Sequence, residues 1–389
     1  MSTHARDVVP RSRPLDVDAL LDDRGIRVIV CCGSGGVGKT TTAAALALRA
    51  AERGRRVVVL TIDPARRLAQ SLGLTELDND PRPVVGVEGS GSLDAMMLDM
   101  KRTFDEFVES NADATRAATI LANPFYQSLS SSFAGTQEYM AMEKLGQLRQ
   151  RSDAEGLWDL VVVDTPPSRS ALDFLDAPRR LGSFLDGRFI RILAAPAKAG
   201  GRAYMRVLSA GFGMFTTVLS RVIGGQVLTD IQTFVGSVDT LFGGFRERAD
   251  TTFTMLKARD TAFVVVAAPE RDALREAAYF VERLEKDDMP LAGMVLNRVH
   301  TSQVPDLDAG TAAAAAARLG SAKSTAVTSA LLSIHADRVA ALDRQRRLTE
   351  RFTSVHRSIP IATVPTMPAD IVDLAGLRAV GDALADHMA

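Results

Sequence analysis

Gly33-Ser34-Gly35-Gly36-Val37-Gly38-Lys39-Thr40 stands between two segments of opposite character. Before it, Arg27 to Cys32 is a short β-branched run that reads as a strand. After it, Thr41 to Arg53 is rich in alanine and leucine and stops at Gly54, which reads as a helix. Val57 to Ile62 is a second apolar run, closed by Asp63-Pro64. Strand, glycine-rich loop, helix, strand is a βαβ unit, and it calls for a parallel sheet. Apolar runs recur at Leu160 to Val163, Phe263 to Ala268, Leu291 to Leu296 and Ile359 to Val364. Such unbroken runs mark strands covered on both faces. Helices predicted over Glu270 to Glu285 and Asp370 to Ala385 supply part of that cover. The expected fold is α/β, a doubly wound and mostly parallel sheet built from residues 25–98, 152–176 and 258–389.

The loop has the spacing G-x-x-x-x-G-K-T, the signature of a phosphate-binding loop. Its glycines let backbone N–H groups turn inward as an anion nest, and the following helix adds its positive end. Lys39 is placed to reach the β- and γ-phosphates as a point charge, and Thr40 to offer its hydroxyl to magnesium. Gly33 through Thr41 are therefore the expected contacts to a nucleoside triphosphate. The same residues fit a loose Gly-x-Gly-x-x-Gly, as in dinucleotide sites. Lys-Thr directly after the last glycine argues against that reading. So does Pro64, which puts Asp63 in a loop rather than in the ribose-binding position.

Two stretches fall outside the sheet pattern. Residues 99–151 and 177–257 read as mostly helical and are expected to form an inserted helical subdomain. Met205, Leu208, Phe212, Phe215, Leu219 and Val222 fall three and four apart, as do Ile231, Phe234, Val238, Leu241 and Phe245. Each set is an apolar stripe on one helix face. The stripes either pack on each other and the core or form a groove for an apolar helical client. Residues 301–324, with an alanine run at Ala312 to Ala317, read as a flexible loop leading to a surface helix. That helix ends in a charged stretch, Arg344 to Arg351, read as a solvated face. Residues 1–24 read as a flexible leader.

Composition narrows the class. The chain has 389 residues and a formal charge of -1. No overall basic field favours nucleic acid or an anionic membrane. The longest uncharged apolar run, Val207 to Ser220, falls short of the roughly 18–20 residues that span a bilayer. Membrane association is at most peripheral on this reading. Cys31 and Cys32 are adjacent, so they cannot form a Cys-x-x-Cys clamp, and a reducing cytoplasm fits.

The doubled glycine of G-x-G-G-V-G-K-T-T and the strand end Thr61-Ile62-Asp63-Pro64-Ala65 together resemble the family of arsenite-pump and tail-anchored-protein targeting ATPases, most closely its actinobacterial members. Val161-Val162-Val163-Asp164-Thr165-Pro166-Pro167 looks like that family's switch II, Asn297-Arg298 like its adenine-recognition turn, and Val364-Pro365-Thr366-Met367-Pro368 like its last nucleotide loop. The resemblance implies a deviant Walker-A P-loop ATPase that binds ATP and Mg2+ and works as a dimer sandwiching nucleotide. It implies Asp63 as the residue that orients the attacking water. It implies Asp164 as a holder of magnesium or its waters, beside Thr40. Asn297 and Arg298 would form the turn that recognises the adenine, and Pro365 would contact the nucleotide. Each aspartate also has a plainer reading as a helix cap, and Asn297 as a turn former.

The departures from the family pattern concern charge. The second lysine that the deviant class carries after the first glycine is replaced by Ser34. Arg66 and Arg67 stand where His-Asn is common, and Ser168-Arg169-Ser170 where Thr-Gly-His is usual. Three explanations compete. The chain pairs with a related ATPase that keeps the signature lysine, or Arg66, Arg67 or Arg169 supplies the charge, or nucleotide acts mainly as a switching ligand. Two function classes follow: a Mg-ATPase that moves its helical subdomain, or a nucleotide-gated holdase or assembly subunit with little turnover. Anion export is a weaker third, since no cysteine cluster suited to arsenite is present.

Overall fold

The computed structural model describes residues 13–62, 67–124, 126, 127, 130, 136–166, 247, 248, 250–302, 304–320 and 324–386. Its strands are β1 (Val28–Gly33), β2 (Arg56–Thr61), β3 (Arg82–Pro83), β4 (Ser92–Met97), β5 (Leu160–Asp164), β6 (Thr261–Ala267), β7 (Leu291–Val299) and β8 (Ile361–Pro365). They form one sheet in the order β3-β4-β2-β5-β1-β6-β7-β8. Neighbours run parallel except β3 and β4. The doubly wound α/β architecture expected from the apolar runs is present. Every residue of β1, β5 and β6 is buried, which is why these strands lack the alternation of a half-exposed sheet.

The first helix after the glycine-rich loop, Lys39–Glu52, covers one face. Its small residues Ala43 to Ala47 let it lie close on the sheet, and they share a core with Leu377, Val380 and Leu384 of the last helix, Leu374–Ala385. Arg271–Lys286 packs Leu274, Phe280, Val281 and Leu284 inward. Among the described residues no helix is long and apolar enough to cross a membrane.

Two expectations are corrected. The segment read as a leader is packed from residue 13 onward. Leu15 N–H donates to Ile361 O at 3.1 Å and Ile361 N–H to Arg13 O at 2.9 Å, so this strap runs beside β8. A short helix follows, Val17–Asp22, capped by Asp16. Its Asp18 meets Arg49 at 2.6 Å, and Leu15, Val17 and Leu21 are buried. Arg55, 1% exposed, ties the strap's exit to the sheet. It donates to the carbonyls of Leu21, Asp23 and Ile26 and pairs with Asp159 at 2.7 Å. The segment's apolar residues are interspersed with Asp16, Asp18, Asp22 and Pro14, so they form no long unbroken run.

The segment read as a flexible loop contains a helix, Ala309–Leu319, whose N-cap Asp308 accepts from Thr311 N–H. Low complexity suggested a loop, but alanine is the strongest helix former, and the cap fixes where the helix starts. It lies against the long helix Ala326–Val355, with Ser329 Oγ donating to Ala316 O at 2.9 Å.

The chain divides into two compact units: Met1–Met97, Ser152–Ala171 and Leu256–Ala389 in one, Leu98–Arg151 and Leu172–Met255 in the other. In the second unit, helices Met100–Asn111 and Ala114–Leu121 are described, with most of Thr136–Glu155. Tyr126 stacks edge-on against Phe104 and donates to Asp105 at 2.5 Å. Arg248 lies over the Phe107 ring and pairs with Glu143 at 3.3 Å. The two apolar stripes, between Met205 and Phe245, lie outside the described residues.

Candidate functional site

The site is built where β1 ends. Gly33 pairs in register with Val266 of β6 and has φ +153°; a Cβ there would lie 2.0 Å from Val266 O. Only glycine lets the strand leave the sheet this close to its neighbour. At the loop's other end Gly38, φ +94°, begins the helix Lys39–Glu52, and no side chain caps that N-terminus. The helix therefore points an uncapped positive end into the loop. Lys39 is 7% exposed, and its Nζ donates to Ser34 O at 2.8 Å, spanning the loop's mouth. A buried ammonium must be hydrogen-bonded, and the loop's own carbonyl contributes a partner.

A second group meets at the ends of β2 and β5. Asp164 is fully buried. Its Oδ2 accepts from Thr40 Oγ1 at 2.7 Å and from Thr61 Oγ1 at 2.9 Å. Thr165, next along the chain, donates its hydroxyl to Cys31 O at 2.8 Å and so ties the exit of β5 to β1. The donor set suits a hard cation. Thr40 gives its proton to the carboxylate and keeps its lone pairs for a metal, and magnesium prefers one or two carboxylate or hydroxyl ligands with phosphate and water for the rest. Among the described residues no group of three or more His, Cys, Asp or Glu is placed to hold a metal ion by itself.

A third group closes the site from β7 and β8. Asn297 Nδ2 donates to Val37 O at 2.8 Å, and its Oδ1 accepts Arg298 N–H at 2.9 Å. An amide has two donors and two acceptor lone pairs, so these two bonds leave one of each. Arg298 sits in the left-handed region at φ +58°, a conformation that costs a non-glycine residue about 1–2 kcal/mol. The Asn297 bond to its N–H helps to hold it. Thr366 N–H donates to Val299 O, and His300 N–H to Gln345 Oε1 on the long helix. Gly38, Thr40, Thr41, Asn297, Arg298 and Pro365 line one open cavity of about 760 Å³, whose walls include Gln70, Val364 and Met367.

The structure thus brings together the loop, Asp164, Asn297, Arg298 and Pro365. Asp63, Arg66 and Arg169 lie outside the described residues, and so does the side chain of Arg67. Sequence reasoning quoted Thr61 only within a strand-end motif, with no tie to Asp164, and missed Gln345. No local pattern reveals them, because their partners lie 103 and 45 residues away.

Cys31 and Cys32 lie in β1 just before Gly33, both buried. Burial pushes the Cys32 thiol up to about 12, against a smaller opposing pull from Lys39. Cys31 is raised well above its ordinary value by burial first and by the Asp164 carboxylate second.

The family described as Anion-transporting ATPase matches residues 26–315 of the chain. A protein named ATPase GET3 from Malassezia globosa is 31% identical over 170 residues, covering 44% of this chain and 48% of its own length. The protein of the same name from Schizosaccharomyces pombe is 27% identical over 287 residues, covering 74% and 77%. That from Podospora anserina is 26% identical over 285 residues, covering 73% and 76%. The chain therefore spans about half of the first relative and about three quarters of the other two.

Proposed function

The chain belongs to the anion-transporting ATPase family, and we propose that it binds ATP with magnesium at Gly33 to Thr41 and hydrolyses it. The observation that carries this reading is Thr40 Oγ1 donating to Asp164 Oδ2 at 2.7 Å, at the foot of an uncapped helix N-terminus that holds a buried Lys39. Thr40 and Asp164 would hold magnesium, directly or through its waters, and the ion would offset the charge of the phosphates. Lys39 would leave Ser34 O for the phosphate oxygens, exchanging a neutral acceptor for a charged one. The loop amides would cradle the phosphates. Asn297, Arg298 and Pro365 would border the base, and Asp63 would orient the attacking water.

Ser34 in place of the signature lysine favours a dimer in which a related, lysine-bearing ATPase completes the site. Arg66, Arg67 and Arg169 are the alternative sources of that charge. In this reading the nucleotide state moves the helical subdomain, which would hold an apolar helical client. A holdase or assembly subunit with little turnover is the competing reading, favoured by the same Ser34. Anion export is the weaker one, since both cysteines are buried and offer arsenite no exposed thiol pair.

The deciding experiment measures ATP binding and phosphate release for the wild type, Lys39→Ala and Asp63→Asn. Lys39→Ala is expected to lose binding, and Asp63→Asn to bind without turnover. Full binding by Lys39→Ala would remove the P-loop assignment. Equal phosphate release by the wild type and Asp63→Asn, with and without a partner ATPase, would favour the holdase.

A further inference from the structure

Two hydroxyls converge on one carboxylate oxygen at the ends of β2 and β5. Thr40 belongs to the phosphate loop's helix, and with its proton given to Asp164 it has lone pairs to offer a cation. Thr61 does not belong to that loop. It ends β2, in register opposite Asp164, and Ile62 N–H donates to Asp164 O at 3.0 Å just beyond it. Thr61 is 1% exposed, so bulk water is not at hand to replace its hydroxyl.

We propose that Thr61 is a positioning residue for the metal carboxylate: its hydroxyl fixes Asp164 Oδ2 so that Thr40 and Asp164 present a preformed pair to magnesium. This rests on the nucleotide reading above. The physical reason is a division of labour. Thr40 sits on the element that would contact phosphate and metal, and its hydroxyl would be offered to the cation. Thr61 sits on the sheet, where backbone pairing holds it still, so it keeps the carboxylate's rotamer. Groups that hydrogen-bond a metal-binding carboxylate from behind set its orientation and basicity. Thr61 also leads directly, through Ile62, into the segment that carries Asp63. The orientation of Asp164 is thereby tied to the start of that segment.

The test uses the full chain and a fluorescent ATP analogue titrated at a series of Mg2+ concentrations and in excess EDTA. Thr61→Val keeps the shape and loses the hydroxyl; Thr61→Ser keeps the hydroxyl. Thr61→Val is expected to need on the order of ten-fold more Mg2+ to reach the wild-type nucleotide affinity, with unchanged affinity in EDTA. Thr61→Ser is expected to follow the wild type. If Thr61→Val fails to fold by circular dichroism, Thr61→Ala against Thr61→Ser reads the same difference. A wild-type Mg2+ response in Thr61→Val, or an equal loss in Thr61→Ser, overturns the proposal. So does a wild type that binds nucleotide with no regard to Mg2+, which leaves the nucleotide reading standing. A wild type that binds no nucleotide at all overturns that reading and this proposal with it.

Discussion

Asn297 clasps the phosphate loop from a strand two places along the sheet: its Nδ2 lies 2.8 Å from Val37 O, 260 residues earlier in the chain. One side chain therefore joins the loop to Arg298 near the end of β7. Asn297→Ala removes a bond of about 1 kcal/mol net, and it leaves the Val37 carbonyl without this donor. ATP affinity is expected to fall several-fold by calorimetric titration. Asn297→Asp should lose more, because a carboxylate cannot donate to Val37 O and adds negative charge beside the phosphates. An Asn297→Asp protein with wild-type affinity would show that the clamp is irrelevant to binding.

Gly38→Ala meets two separate obstacles. At φ +94° an L-residue is strained, by about 1–2 kcal/mol. Its new Cβ would also lie 2.2 Å from Asn297 Nδ2. Urea unfolding is expected to show destabilisation beyond the backbone figure. Adding Asn297→Ala to Gly38→Ala should recover part of the loss, since the clash disappears while the strain stays. Strict additivity in that double-mutant cycle would count against the contact.

The strap helix carries an acid-sensitive link. Hydrogen bonding from Arg49 is the main reason the Asp18 carboxyl titrates below its ordinary range, with partial burial opposing it. Arg53 does the same for Asp22. The unfolded chain, with an ordinary carboxyl near pH 3.9, takes up these protons first as pH falls. The stabilisation is whole above about pH 4 and is lost as pH drops further through the lowered folded values. Protection factors against hydrogen exchange at Val17 to Leu21, taken relative to the unfolded chain at each pH, are expected to fall over that acid window, and Asp18→Asn should show lowered protection already at neutral pH. Identical exchange in the wild type and Asp18→Asn at neutral pH would refute the link.

The adjacent thiols should be inert in the folded protein. With Cys32 raised to about 12 and Cys31 raised as well, the thiolate fraction at pH 8 is negligible, and neither sulfur is exposed. Iodoacetamide is expected to label both on unfolding in urea and neither in native buffer, as read by intact mass. Rapid native labelling at either position would contradict the buried placement.

The sheet was legible because its strands are unbroken apolar runs, and a run such as Phe263 to Ala268 has no other comfortable home. Strand Ser92–Met97 was not legible. Asp94 interrupts its apolar pattern, and only the folded chain reveals that this carboxylate takes a 2.7 Å hydrogen bond from Trp158 Nε1. The phosphate loop was legible because its function depends on backbone conformation, which glycine spacing encodes locally. Thr61 and Gln345 were not, because each acts by meeting a partner far away in sequence. Asn297 was singled out through the family resemblance as a contact to the base, and its bond to Val37 needed three dimensions.

The position of β1 at the middle of the sheet carries a consequence for how the molecule is made. Gly33 is seated against Val266, and Val37 is clasped by Asn297. On the ribosome, the loop emerges long before either partner has been translated. At a synthesis rate of about 5–20 residues per second, the 260 residues separating Val37 from Asn297 represent an interval of roughly 13–50 s. During that interval the nascent chain holds every residue of the phosphate signature but lacks the strand that walls it and the amide that latches it. Assembly of a competent pocket is therefore one of the last events in the birth of this protein.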